Sequence, residues 1–239
     1  MREKEFIATV KEFYQRHKRR KLPWRHTKDP YYILVSEIML QQTQVDRVLP
    51  KYVEFLRVFP TIHVLAKAPL GTVLRAWQGL GYNRRAKMLH NCAKVIVSDF
   101  RGQTPNTREV LEELPGVGHY TAGAIMAFAW NKPVPIIETN IRSVYLYHFF
   151  EYDTDVKDDA LFPYIERTLD RKNPRAWYYA LMDYGSFIKK MYGNPNTRSK
   201  HHVRQSTFKG SDREIRGEII RLLAIRPHTR ALMGKLLKR

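Results

Sequence analysis

Cysteine is nearly absent: Cys92 is the only one among 239 residues. No disulfide can close within the chain, and no cysteine-rich metal site can be built. Cys92 sits at helical spacing among apolar neighbours, from Leu89 to Ile96, and reads as a small buried residue rather than a nucleophile. Long apolar runs are also missing. None approaches the roughly 20 residues of a membrane span, and Met1-Arg2-Glu3-Lys4-Glu5 has no apolar signal core. The expectation is a cytoplasmic, nucleoid-associated chain with no membrane partner. Strand-like alternation never persists, and there is no internal repeat or low-complexity segment. Acids are scarce, with 23 Asp and Glu against 42 Lys and Arg.

That shortage leaves a formal charge of +19 and a pI near 10.0. Such an excess favours a polyanionic partner and makes its binding salt-dependent. The charge is also unevenly placed. From Lys189 onward there are 14 Lys and Arg but only three acids, Asp212, Glu214 and Glu218, which reads as an electrostatic footprint.

Helical periodicity runs nearly throughout. It marks helices over 2–19, 31–43, 45–58, 84–100, 107–113, 120–130, 139–150, 158–171 and 174–191. Pro23, Pro30 and the run Gly79-Leu80-Gly81 interrupt the pattern. A polar connector begins at Gly193, and two short helices, 213–224 and 228–238, form a tail. The expected fold is all-α, with two helical lobes around a cleft. One lobe covers about 30–135 and the other 1–29 with 136–192, making a core of 1–192 followed by a basic connector and tail at 193–239.

The most informative segment is Leu114-Pro115-Gly116-Val117-Gly118-His119-Tyr120. Two glycines flank one apolar residue immediately before a helix, so the chain can turn tightly and its backbone can approach a ligand. Successive N–H groups at such a turn bind an anion, and in so basic a chain the anion expected is a nucleic-acid phosphate. Further motifs are Leu22-Pro23-Trp24-Arg25, Ser36 to Val45, Trp77 to Tyr82, Glu138 to Arg142, and Ala180 to Gly185. In that order and at that spacing the chain resembles the helix-hairpin-helix (HhH-GPD) DNA glycosylase superfamily, and within it the MutY-type adenine DNA glycosylases.

The resemblance implies base flipping followed by cleavage of an N-glycosidic bond, with two carboxylates dividing the work much as in O-glycosidases. Glu37 lies on an apolar helix, where burial raises a carboxyl's pKa, and matches the acid that protonates the purine. The bland alternative is an ion pair with Arg25. Glu138 matches the family's catalytic Asp. It keeps the charge but adds a methylene, and its bland alternative is a helix N-cap. Tyr120 stands where lyase-active relatives carry a Schiff-base Lys, so strong lyase activity is not expected. Asn140 matches an Asn that bonds the catalytic carboxylate.

Gln42 and Tyr82 are candidate wedges, filling the space of the extruded base. Thr43 belongs to the same motif, and Leu40 is either core or an intercalating tip. Gly116, Val117, Gly118 and His119 form the phosphate anchor. Arg25 and Trp24 are candidates for the base pocket. Lys189 and Lys190, with Arg198, Lys200 and Arg204, are candidate DNA contacts.

Two departures stand out. The family's four cluster-holding cysteines are missing from Ile188–Phe208, so no iron-sulfur cluster is expected. His201-His202 does not make a metal site, because adjacent histidines do not share a helix face. Too few residues follow Gly210 for the Nudix-like second domain of adenine glycosylases. The function implied is a monofunctional glycosylase, a monomer acting on double-stranded DNA with a mismatched or damaged base. Its target is adenine opposite guanine or 8-oxoguanine. The alternatives are uracil or thymine removal from mispairs with guanine, and a catalytically weak lesion binder, because Glu replaces Asp.

Overall fold

A computed structural model describes residues 2–17, 21–203, 207, 210–225 and 228–237. The described residues are all-helical, with a single isolated bridge between Val156 and Ser199. The helices are α1 (Glu3–His17), α2 (Pro30–Leu40), α3 (Val45–Val58), α4 (Ile62–Lys67), α5 (Leu70–Ala76), α6 (Arg84–Asp99), α7 (Arg108–Glu112), α8 (His119–Trp130), α9 (Thr139–Phe149), α10 (Asp158–Thr168), α11 (Pro174–Met191), α12 (Asp212–Ile225) and α13 (Arg230–Leu236). Short 3-10 turns occupy Pro23–Arg25 and Pro195–Arg198.

The chain divides into two compact units: Met1–Lys28 with His119–Arg204, and Asp29–Gly118 with Gln205–Arg239. These boundaries differ from the lobes read in the sequence. α8 belongs with α11 because Phe128 stacks on Tyr179, with centroids 4.6 Å apart, and Arg175 donates to the carbonyls of Phe128 (2.5 Å) and Ala129 (2.8 Å). The tail helix α12 packs on α5 instead of standing apart.

In the unit holding α2 to α7, α2 is the central helix. Asp29 caps it by accepting from the Tyr31 N–H (2.8 Å), and Pro30 pre-sets its first turn. Every residue from Ile33 to Met39 is buried, Glu37 included. α2 stops at Leu40, short of the expected 43, because Gln42 takes a left-handed φ of 53°. Phe55, Trp77, Leu65 and Leu89 fill the core around it.

The other unit is built on aromatic packing. The Phe6 ring of α1 meets Tyr145 (5.2 Å), Phe149 (5.0 Å) and Trp177 (6.2 Å). Arg25 forms a two-pronged ion pair with Asp183, at 2.7 and 2.8 Å, which ties the Leu22–Arg25 segment to α11. Its guanidinium also lies 4.6 Å from the centre of the Tyr179 ring. α9 and α11 touch backbone to backbone at Gly185, where a Cβ would lie 2.1 Å from the Asn140 carbonyl oxygen.

Gly185→Ala is therefore expected to destabilise the chain by about 3 kcal/mol or more, since the opposing atom is backbone and cannot swing away; urea unfolding of wild type and variant measures it. A second expectation concerns His148, whose ring bonds the Tyr184 hydroxyl (3.0 Å) and whose pKa burial lowers to about 4. The unfolded chain takes up this proton near pH 6.5, so stability should fall as the pH drops from about 6.5 to about 4. His148→Gln should flatten the pH dependence of the urea midpoint in that window.

Candidate active site and nucleic-acid interface

A helix N-terminus leaves backbone N–H groups without partners and carries partial positive charge. At α9 both are met by Glu138. Its Oε1 accepts from the backbone N–H of Asn140 and of Ile141, each at 2.8 Å. Its Oε2 accepts from the Thr139 hydroxyl (3.0 Å) and the Asn140 side-chain amide (3.1 Å). The N-cap arrangement is thus present, and it is also what fixes the carboxylate. Both oxygens are held, and the charge is stabilised in one place by four donors. The longer side chain of Glu folds back over its own helix end, as a capping residue does. The sequence paired Asn140 with this carboxylate; Thr139 it overlooked.

A second layer holds that helix end. The Asn196 side-chain amide donates to the Thr139 carbonyl (3.0 Å) and to the Ser143 hydroxyl (2.6 Å). Arg198 donates to the carbonyls of Leu146 (2.9 Å) and Glu151. The connector after α11 is thereby fastened to α9 by an amide and a guanidinium. A four-iron cluster needs thiolate ligands, and this stretch has none, so the residues present do not fit one. Among the described residues no group of three or more His, Cys, Asp or Glu is placed to hold a metal ion. Arg198, read as a DNA contact, is engaged in this fastening. Lys190, Lys200, His201 and His202 are exposed, and Lys189 is half-buried. Arg204 lies outside the described residues. Tyr120, on the first turn of α8, is half-buried, and His119 is exposed. Arg25, expected at the base pocket, is buried against Asp183, and Trp24 is core.

In the other unit, Arg85 organises the motif residues, and the sequence reading missed it. Its Nη1 donates to the carbonyls of Ile38 (2.9 Å), Met39 (2.9 Å) and Gln41 at the C-terminal end of α2. Its Nη2 donates to the Thr43 hydroxyl (2.9 Å) and to the carbonyls of Leu80 (3.2 Å) and Gly81 (3.3 Å). The planar guanidinium therefore ties the loop carrying Gln42 to the loop carrying Tyr82. Burial lowers its pKa to about 10, so it stays charged at neutral pH. A cation facing the carbonyl end of a helix is favourable. The signal available in the sequence was its place in the first turn of α6, second of the two arginines that follow Gly79-Leu80-Gly81-Tyr82-Asn83.

Both loops use left-handed backbone. Gln42 has φ 53°, Tyr82 has φ 47°, and Gly79 and Gly81 have φ 91° and 72°. Gln42 is exposed and Tyr82 half-exposed, while Leu40 and Thr43 are partly covered. Glu37, on α2, is 7% exposed. At the hairpin, Gly116 has φ 81° and a Cβ there would lie 2.7 Å from Met88 Cβ, so glycine is required on two grounds. Gly118 differs: a Cβ there would meet nothing of the protein within 4 Å. Val117 anchors the turn by burying its side chain, and its N–H bonds the Leu114 carbonyl (3.0 Å).

Residues 35–166 match the HhH-GPD superfamily base excision DNA repair proteins. An adenine DNA glycosylase of Buchnera aphidicola subsp. Baizongia pistaciae (strain Bp) is 37% identical over 184 residues, 77% of this chain and 52% of its own length. The adenine DNA glycosylase of Mycobacterium tuberculosis (strain ATCC 25618 / H37Rv) is 50% identical over 133 residues, 55% of this chain and 43% of its own length. The chain thus spans about half the length of the curated relatives it matches first. The solved structure of a thermostable thymine-DNA glycosylase superposes with a TM-score of 0.70 at 29% identity, covering 81% of this chain and 90% of that one.

Arg85→Lys is expected to lower stability by about 2 kcal/mol, since one ammonium cannot reach both loops at once. Arg85→Met should cost more, because it removes every guanidinium bond to the end of α2 and to the Gly79–Tyr82 loop. Urea midpoints of the two variants against wild type check the order.

Proposed function

The chain belongs to the HhH-GPD superfamily of base excision DNA repair proteins, and we propose that it is a monofunctional DNA glycosylase. In this reading it acts as a monomer on DNA in the cytoplasm, extrudes a mismatched base from the duplex and hydrolyses its N-glycosidic bond. The base is adenine opposite guanine or 8-oxoguanine; the names of relatives at 37% and 50% identity support adenine itself. The observation that carries the catalytic part is the Glu138 carboxylate, held by four donors at the start of α9.

Cleavage of an N-glycosidic bond leaves positive charge on the sugar, and a fixed anion lowers the energy of that transition state. Glu138 suits this role better than covalent attack. A carboxylate offers about four acceptor positions, and all four are engaged by donors of its own helix end. Placing the carboxylate by capping also answers the extra methylene: the helix terminus fixes where the charge sits. Glu37, buried on α2, is the proton donor to the departing base. Tyr120 offers no amine for an imine, so hydrolysis rather than strand cleavage follows. Asn140 positions Glu138.

The wedge role falls to Gln42 and Tyr82, displayed on loops of left-handed backbone, with Leu40 and Thr43 beside Gln42. Gly116, Val117, Gly118 and His119 take a backbone phosphate, and the open space at Gly118 is what close approach of a phosphate needs. Lys189 and Lys190 are further backbone contacts. A second reading, thymine or uracil removal from mispairs with guanine, is favoured by the coverage of 90% of the thymine-DNA glycosylase structure.

One panel of duplexes bearing A·G, A·8-oxoguanine, T·G or U·G, assayed in single turnover with and without alkali, separates these readings. Adenine release with strand breaks only after alkali is expected. Glu138→Gln should slow release by about 100-fold or more, whereas Glu138→Asp, which can also cap α9, should keep most of it. Strand cleavage without alkali, or an unaffected Glu138→Gln, would falsify the assignment.

A further inference from the structure

A cavity of 1970 Å³ opens within the unit of α2 to α7, α12 and α13. That exceeds the roughly 300–1,000 Å³ of small-molecule sites and suits a segment of a macromolecule. Its charged lining falls into two groups remote in sequence. One holds Arg47 and Arg84, with Gln42 and Tyr82 beside them; the other is α12, with Arg213 and Arg216. Arg47, Arg84 and Arg216 are exposed. The acids of α12 in the lining are already engaged: Glu214 accepts from the Gly210 N–H (2.6 Å), and Glu218 pairs with Arg221 (2.5 Å). The cavity therefore presents excess positive charge beside the candidate wedge.

Arg213 links the two groups. Its Nη1 donates to the Tyr82 hydroxyl at 2.8 Å, and its guanidinium carbon lies 5.8 Å from the centre of the same ring. Arg85 lies 5.4 Å from that ring. Tyr82 has a left-handed φ of 47°, which costs a non-glycine residue of the order of 1 kcal/mol and persists only where the surroundings enforce it. Arg213 supplies part of that enforcement from the tail.

We propose that α12 is a second duplex-contacting element, with Arg213 and Arg216 taking DNA backbone phosphates beside Tyr82, and Arg213 orienting Tyr82 as a positioning residue. The occupant is a DNA backbone because the cavity is large, is lined by arginines and adjoins the loops of Gln42 and Tyr82. This rests on the glycosylase reading above.

The test uses the full chain and a duplex with one A·8-oxoguanine pair. Binding is measured by fluorescence anisotropy across a salt series, and base release in single turnover. Each lost phosphate contact makes the slope of log affinity against log salt shallower by about 0.9. The Arg213→Gln, Arg216→Gln double variant should thus flatten it by about 2. The Arg57→Gln, Lys67→Gln variant removes the same charge from exposed positions outside the cavity and should leave the slope near wild type. Tyr82→Phe loses only the hydroxyl bond, so it should keep the slope and slow base release several-fold. Equal slopes in the two charge variants, or, where wild type releases base, a Tyr82→Phe that releases it equally fast, overturn the proposal. If wild type releases no base from any duplex while the slopes still separate, the glycosylase reading fails and the tail contact stands.

Discussion

A carboxylate caps the start of α9, and several contacts of one unit converge on that helix end. Glu138 is bonded by its own helix end. That end is pressed against α11 at Gly185, where only a hydrogen fits opposite the Asn140 carbonyl. On its flank, Asn196 ties the connector to Thr139 and Ser143. The carboxylate, the helix and both supports form one rigid chain of contacts. Moving the charge would require parting two helices. The backbone N–H groups set where a capping carboxylate rests, and the side chain bends to suit.

Arg85 solves a comparable problem in the other unit with the opposite charge. The last carbonyls of α2 lack helical partners, and the loop of Gly79 to Tyr82 turns its carbonyls inward. One planar cation satisfies both. Because the guanidinium is flat and offers its donors in a fixed fork, it sets the spacing between the loops as well as joining them. The loops that carry Gln42 and Tyr82 are held by the same group.

Much of this was legible in the sequence, for particular reasons. α2 was legible because Ile33, Leu34, Ile38, Met39 and Leu40 recur at helical spacing, and Asp29-Pro30 marked the loop before it. Gly116 was legible because a tight turn before a helix demands a left-handed residue. The pairing of Asn140 with Glu138 came through the resemblance. What stayed hidden were contacts between residues far apart in the chain. Arg25 read as a pocket residue, and its bond to Asp183, 158 positions away, cannot be inferred from periodicity. Arg198 read as a DNA contact for the same reason: a basic side chain near a basic tail carries no mark that it reaches back to helix-end carbonyls. The lobe boundaries moved because stacking of Phe128 on Tyr179, not chain order, decides which side α8 joins.

The fastening of the connector has one more consequence, and it concerns oxygen. Asn196 and Arg198 hold their stretch to α9 with groups that neither oxidants nor iron limitation can alter. The sole thiol, Cys92, is buried, and burial pushes its pKa up to about 12. Since the thiolate is the form that reacts, oxidation has almost no foothold there either. The fastening of this stretch to α9 therefore depends on no thiol at all.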